Sequence, residues 1–167
     1  MGRHQVTEGM TRSSPMTVWR LCRKKYIAFD GEGSRLAGGR WNLRGTAVVY
    51  TSATLSLAVL EYFVNLPRAA APSDLVAISA EVPKDLPMTS IEESSLPRNW
   101  RSYPAPESLA GIGTRWAEER KTPMLAVPSA VVPRERNYLL NPAHLLFAEI
   151  RIGKPEPLSL DPRMWKV

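Results

Sequence analysis

Three observations predict an α+β domain with a mainly antiparallel or split sheet. Leu75 to Val82, LVAISAEV, alternates in polarity as a strand does. Ala53 to Leu66 is a helical run with a cap candidate at Ser52 or Thr54 and a stop at Pro67. The order of such segments is mixed, without the strict strand-helix repeat of a doubly wound sheet. The chain has 167 residues, which one domain accounts for.

The remaining elements follow in chain order. The lead, residues 1–16, has basic residues but no apolar core of a secretory signal, and Val6 stands where a myristoylation motif wants Ser or Thr. It is expected to be a disordered extension, with Met10 or Met16 as alternative starts, and residues 17–167 as the folded domain. Val18-Trp19-Arg20-Leu21 reads as a first strand. The stretch from Asp30 to Gly45 holds five of the ten glycines and reads as a loop that brings backbone close to a ligand. Ala47 to Thr51, AVVYT, is a short buried strand. Pro83 to Pro106 contains five prolines and is expected to be irregular. Ser108 to Arg120 forms a second helix after Pro106, with Leu109, Ile112 and Trp116 on one side. Leu125 to Val132, broken at Pro128-Ser129, and Phe147 to Ile152 complete the strands.

Composition narrows the function. Twenty-two Lys and Arg against sixteen Asp and Glu leave +6, which favours an anionic partner without choosing among nucleotide, nucleic acid and acidic protein. One cysteine, Cys22, makes an intramolecular disulfide impossible, and two histidines make no zinc cluster, so a reducing cytoplasm is expected and no metal. The most apolar run is interrupted by Ser56, Glu61 and Asn65 and falls short of the roughly 18 apolar residues that span a membrane. Cys22 reads as an inert core thiol, and Trp19, Trp41 and Trp116 as packing residues.

Between Arg44 and Arg68 the only formal charge is Glu61, inside AVLEYFV. On a helix it has Leu57, Leu60 and Val64 three or four residues away, so its carboxylate is expected to face a largely apolar cleft. An unpartnered carboxylate there costs several kcal/mol, so the fold must supply a cation or hydroxyls. Arg20 and Arg40 are the candidate cations.

Familiar motifs fail. Gly31-Glu32-Gly33 meets Leu36 where a dinucleotide fingerprint needs its third glycine, and Gly33 to Gly38 has Walker spacing but Gly39-Arg40 in place of Lys and Ser/Thr. Ser129, His144 and Glu149 make a poor hydrolase triad, since Ser129 lacks a glycine-flanked elbow. Asn137, Asn141 and His144 read as groups that fix turns and loops.

The surviving series is Arg20, Gly38-Gly39-Arg40-Trp41-Asn42, Tyr50-Thr51-Ser52, Glu61, Pro128-Ser129 and Asn137 with Asn141-Pro142-x-His144. This resembles the RES domain family, over roughly Val18 to Ile152. The resemblance implies a mixed split-sheet core like that of ADP-ribosyltransferases, and a toxin that consumes NAD+ by hydrolysis or phosphorolysis. It implies NAD+ as substrate with no further cofactor, an antitoxin partner bearing an Xre-type helix-turn-helix that makes the DNA contact, and a homodimer of the toxin within a larger complex. Glu61 and Arg40 are then the catalytic pair, with Arg20, Tyr50, Ser52 and Ser129 binding substrate.

The residues suit that chemistry. Cleaving the nicotinamide–ribose bond passes through an oxocarbenium-like state and expels a neutral leaving group, so one carboxylate suffices where an ordinary glycosidase needs two. Glu61 would stabilise the cation, Arg40 and Arg20 would grip the pyrophosphate, Tyr50 would stack or bond to ribose, and Ser52 and Ser129 would orient the substrate. Two alternatives stand beside it. In protein ADP-ribosylation a side chain accepts the ADP-ribose; many such transferases carry a second carboxylate two residues before the first, where this chain has Val59. A basic nucleic-acid-binding module or ribonuclease would use Arg115, Trp116, Arg120 and Lys121.

Overall fold

In the computed structural model, residues 15–66 and 72–165 are described. Residues 1–14 of the expected lead and Pro67, the expected helix stop, lie outside them. In chain order the elements are β1 (Met16–Arg23), α1 (Glu32–Ala37), β2 (Val49–Ser52), α2 (Leu55–Phe63), β3 (Leu75–Val82), β4 (Met88–Ser90), α3 (Glu107–Glu119), β5 (Met124–Pro128), β6 (Arg136–Leu140), β7 (Arg151–Ile152) and β8 (Glu156–Pro157).

All eight strands join one mixed sheet in the order β4-β5-β6-β2-β1-β3-β7, with β8 also on β3. Only β4 and β5 run parallel; every other pair is antiparallel. The α+β class therefore holds. The sheet is also split. β1 pairs with β3 along its full length, from Met16↔Val82 to Arg23↔Leu75, and β2 pairs with β6 from Val49↔Leu140 to Ser52↔Asn137. The two halves meet at one register pair, Trp19↔Ser52.

Helices close both halves. α3 lays Leu109 and Trp116 on Leu125, Val127 and Leu139, and Trp41 and Trp100 complete that core. Leu109, Leu125 and Leu139 are wholly buried, each stabilising by about 1.5–3 kcal/mol. Gly113 lets α3 approach, since a Cβ there would lie 1.8 Å from the Trp41 carbonyl oxygen. α2 covers β1 through Ala58, Leu21 and Leu75, with Trp19, Val59 and Tyr62 around them. On the opposite face Val18, Val49, Val82, Met124 and Leu140 form a further core.

Several expectations need correction. The glycine-rich stretch holds a helix, α1, whose end is tied by Gly38 N–H to the Ser34 carbonyl. Thr54 and not Ser52 caps α2, its hydroxyl accepting from Leu57 N–H at 3.0 Å, while Ser52 ends β2. The proline-rich excursion contributes β4, because its edge position beside β5 needs only three residues of pairing. β6 was not anticipated: it begins with Arg-Asn, residues with little strand preference, and pairing on both sides overrides that. Phe147 to Ile152 is mostly a 3-10 turn, Leu145–Glu149, capped by His144 Nδ1, and only Arg151–Ile152 pair as strand. Among the described residues, no helix is long and apolar enough to cross a membrane.

Candidate active site at the seam of the sheet

α2 runs over the line where β1 and β2 part, and its last turn presents Glu61. A cleft of about 280 Å³ opens there, lined by Trp19 to Cys22 of β1, Tyr50 to Ser52 of β2, Asn137 of β6, and Ala58, Glu61, Tyr62 and Asn65 along α2. The spacing of those four α2 positions is one helix face.

Glu61 is half-buried; its hydrogen-bond partners are polar, while the cleft it faces is largely apolar as expected, though not through the residues beside it on the helix. Leu60 and Val64 turn outward, at 38% and 55% exposure. The Ser129 hydroxyl donates to Glu61 Oε1 at 2.7 Å, and Asn137 Nδ2 donates to the same oxygen at 2.5 Å. Asn137 Oδ1 in turn accepts from the Ser52 hydroxyl at 2.7 Å. Ser129 is itself fixed: wholly buried, its Oγ accepts from Val131 and Val132 N–H at 3.1 and 3.0 Å. Donors from the ends of β5 and β6 thus converge on one carboxylate oxygen, and the end of β2 steadies one of them through Ser52. Among the described residues no donor reaches Oε2, and no ion pair includes Glu61.

Arg40 is not Glu61's ion-pair partner. Its Nη1 donates to the carbonyls of Trp100 at 2.6 Å and Ser102 at 3.2 Å, and Nη2 donates to Ser102 as well, so the guanidinium ties the Gly38–Asn42 turn to the excursion. It does not line the cleft. Burial pulls its pKa below the usual value, opposed by attraction to Glu61 and then Tyr50. Arg20 does line the cleft, with Nη1 on the Ala28 carbonyl and the guanidinium 5.3 Å above the Phe29 ring. Tyr50 is among the residues lining the cleft, and its hydroxyl donates to Asn42 Oδ1 at 2.7 Å and accepts from Trp41 N–H at 3.0 Å. Burial pushes its pKa well up, against the Trp41 bond and Arg40. The phenol is neutral and its oxygen is engaged.

Of the sequence candidates, Glu61, Ser52 and Ser129 meet in one hydrogen-bonded cluster, Arg20 and Tyr50 form the cleft wall, and Arg40 stands behind it. Asn137 belongs with the first group. Asn141 and His144 do fix turns, through Ala143 N–H and Leu146 N–H. Tyr62 and Asn65 also line the cleft, and the i, i+3, i+4, i+7 spacing of Ala58, Glu61, Tyr62 and Asn65 is the sequence signal for both. Cys22 is buried, and burial raises its pKa against the nearby Arg20 charge. Trp116 is buried with its indole N–H on Thr122 Oγ1, so the basic cluster around it offers no exposed aromatic face to nucleic acid.

Fold and site together define a single-sheet α+β protein carrying one anchored carboxylate in a cleft at the seam of its sheet. The RES domain profile matches residues 17–161, and the chain belongs to that family. It is 37% identical over 153 residues to "Toxin Res" of Yersinia enterocolitica, covering 89% of this chain and 99% of that one. It is also 37% identical over 155 residues to the "Prs ADP-ribosylating toxin" of Sphingobium sp., covering 89% and 96%. A chain in the crystal structure of the M. tuberculosis MbcT-MbcA toxin-antitoxin complex shares the fold, with a TM-score of 0.69 over 90% of this chain and 87% of that chain at 13% identity.

Proposed function

We propose that this protein is the toxin of a toxin–antitoxin pair and that it cleaves the nicotinamide–ribose bond of NAD+. The observation that carries the reading is Glu61: two neutral donors hold one carboxylate oxygen and leave the other to the cleft. Such a group meets what the reaction demands. As the glycosidic bond breaks, positive charge grows on the ribose, and a carboxylate already oriented by fixed donors stabilises that charge without reorganising. Nicotinamide leaves neutral, taking the bonding electron pair. The ribosyl carbon then bonds to the oxygen of water or phosphate, and a proton passes to solvent. Arg20 supplies the positive charge that the pyrophosphate requires.

NAD+ enters as substrate, and the reading calls for no metal. The partner is an antitoxin with an Xre-type helix-turn-helix, which contacts DNA and holds a toxin homodimer in a larger cytoplasmic complex. Transfer of ADP-ribose to a protein is the second reading, favoured by the relative named as an ADP-ribosylating toxin. The two share bond cleavage and differ in acceptor.

The test incubates purified protein with NAD+, with and without phosphate, and resolves nicotinamide, ADP-ribose and ADP-ribose 1″-phosphate by mass. Nicotinamide release that falls by about 10²–10⁴ in Glu61→Gln is expected, since Gln retains an oxygen for Ser129 and Asn137 but not the charge. Release by Glu61→Gln equal to wild type overturns the assignment. Release only upon adding cell lysate, with label on protein, selects the transferase.

A further inference from the structure

No residue of the proline-rich excursion, Pro83 to Pro106, lines the cleft. The excursion grips another part of the site. The loop joining β5 to β6, residues 129–135, carries both donors to Glu61 at its ends, Ser129 just past β5 and Asn137 just inside β6. The excursion holds the residue next to each donor. Arg101 Nε donates to the Ala130 carbonyl at 3.0 Å, while Arg136 Nη1 donates to the Ile91 carbonyl at 2.6 Å and its Nη2 to Glu92 Oε2 at 2.7 Å. Resting on the NAD+ reading above, we infer that residues 91–102 form a brace and not a lid, and that Arg101 and Arg136 are positioning residues that keep Ser129 and Asn137 in place against Glu61.

The brace is itself anchored at both ends. Ile91 N–H donates to the Ala126 carbonyl of β5 at 2.9 Å, and the Ser90 hydroxyl donates to Glu92 Oε1 at 2.9 Å, so the carboxylate that meets Arg136 is held in turn. Beside Arg101, Trp100 is buried in the α3 core and its carbonyl accepts from Arg40 Nη1 at 2.6 Å. A lid would have to release these bonds and draw a buried indole into water. A brace uses them as fixed points.

The loop has reason to need outside support. Its internal bonds are local: Ser129 N–H to the Glu135 carbonyl at 3.0 Å, Glu135 N–H to the Val132 carbonyl at 2.9 Å, and Val131 and Val132 N–H to Ser129 Oγ. These set the shape of the loop, whereas its place relative to α2 depends on what grips it from outside. Connecting segments move more than the strands they join, and a site group has to be held within about 0.5 Å of its working position. Arg101 supplies that grip one residue from Ser129. At the other end the Arg136 carbonyl also accepts from Ala53 N–H at 3.1 Å, so one residue links the excursion, β6 and the exit of β2 beside Asn137.

Arg101→Met and Arg136→Met keep the aliphatic stems and remove the donors. Steady-state release of nicotinamide from NAD+ is measured for each, alone and combined with Glu61→Gln, on proteins whose melting curves establish that they fold. Arg101 is exposed, so its variant carries the test where Arg136→Met fails to fold. The expected result is a fall of about five-fold or more in kcat with KM within about two-fold, shrinking to under about two-fold in the Glu61→Gln background, because without the charge its placement matters little. Wild-type kcat in the folded variants, a change confined to KM, or an equal fold-loss in the Glu61→Gln background overturns the inference. If wild-type protein releases no nicotinamide, the functional reading fails, and amide hydrogen exchange still decides the brace. Exchange at Val131 and Val132 at least about ten-fold faster in Arg101→Met, with β3 unchanged, supports it. Equal exchange in variant and wild type, or an acceleration shared by β3, overturns it.

Discussion

Ser129 donates its hydroxyl hydrogen to Glu61 Oε1 at 2.7 Å, although 68 residues of chain separate them. The serine contributes more than one bond, because the same oxygen gathers two backbone N–H groups from its own turn. Local structure aims the hydroxyl, and the hydroxyl aims the carboxylate.

Ser129→Ala therefore removes three hydrogen bonds at once. Two backbone donors lose their partner at a cost of about 1–3 kcal/mol each where buried, and Glu61 is free to rotate. We expect nicotinamide release to fall by about 10²-fold together with a lower melting temperature, measured on the same preparation. Wild-type kcat in a folded Ser129→Ala protein contradicts the proposed role.

Arg40 separates two functions by its choice of partners. Loss of its guanidinium leaves the Trp100 and Ser102 carbonyls unpaired, and Arg40→Ala should cost roughly 1–3 kcal/mol, or a few degrees in melting temperature. Arg40→Lys keeps the charge but not the fork that bonds both carbonyls, so it should recover little of that stability. Full recovery by Lys shows that charge, not the fork, is what matters there.

Gly113→Ala tests the packing of α3. The added methyl would stand 1.8 Å from the Trp41 carbonyl, and relief requires shifting a helix off a core of three tryptophans. A destabilisation of at least about 1–3 kcal/mol is expected in denaturant melts. Unchanged stability refutes this close approach.

Alkaline pH acts through Tyr50. Its folded pKa is raised, chiefly by burial, so above the ordinary tyrosine value near 10 the unfolded chain loses a proton that the folded chain keeps. The contribution is fully present below about pH 10 and declines as pH rises beyond it. Urea melts from pH 8 to 11 should show falling stability, and Tyr50→Phe should be less stable at pH 8 yet lose less as pH rises. An identical slope in Tyr50→Phe assigns the alkaline loss to other groups.

Much of this was legible in the sequence for identifiable reasons. β3 was read with its observed bounds because its strand signal is local, and α2 was read from its apolar run and Thr54. Glu61 was conspicuous as the lone charge in that run. What resisted reading was long-range. Asn137 resembles a turn residue until β6 is paired on both edges, and only then does its amide reach Glu61, 76 residues earlier. The partners of Arg40 are backbone carbonyls of a proline-rich segment, which leave no mark in residue type. α1 was hidden by the glycines that flank it, where Gly31 and Gly39 allow close approach to Val48 and Tyr50 and Gly31 and Gly38 adopt positive φ.

The seam between the half-sheets has a thermodynamic consequence. One register pair, Trp19↔Ser52, carries the backbone connection there, so much of the adhesion between halves comes from what packs across it. Anything that fills the cleft touches β1, β2 and α2 together and acts as a rivet. Occupancy and cohesion are then linked: at a hundred times its dissociation constant, a ligand specific for the native state adds about 2.7 kcal/mol to folding. The place best suited to chemistry is also the place where backbone pairing within the sheet is thinnest.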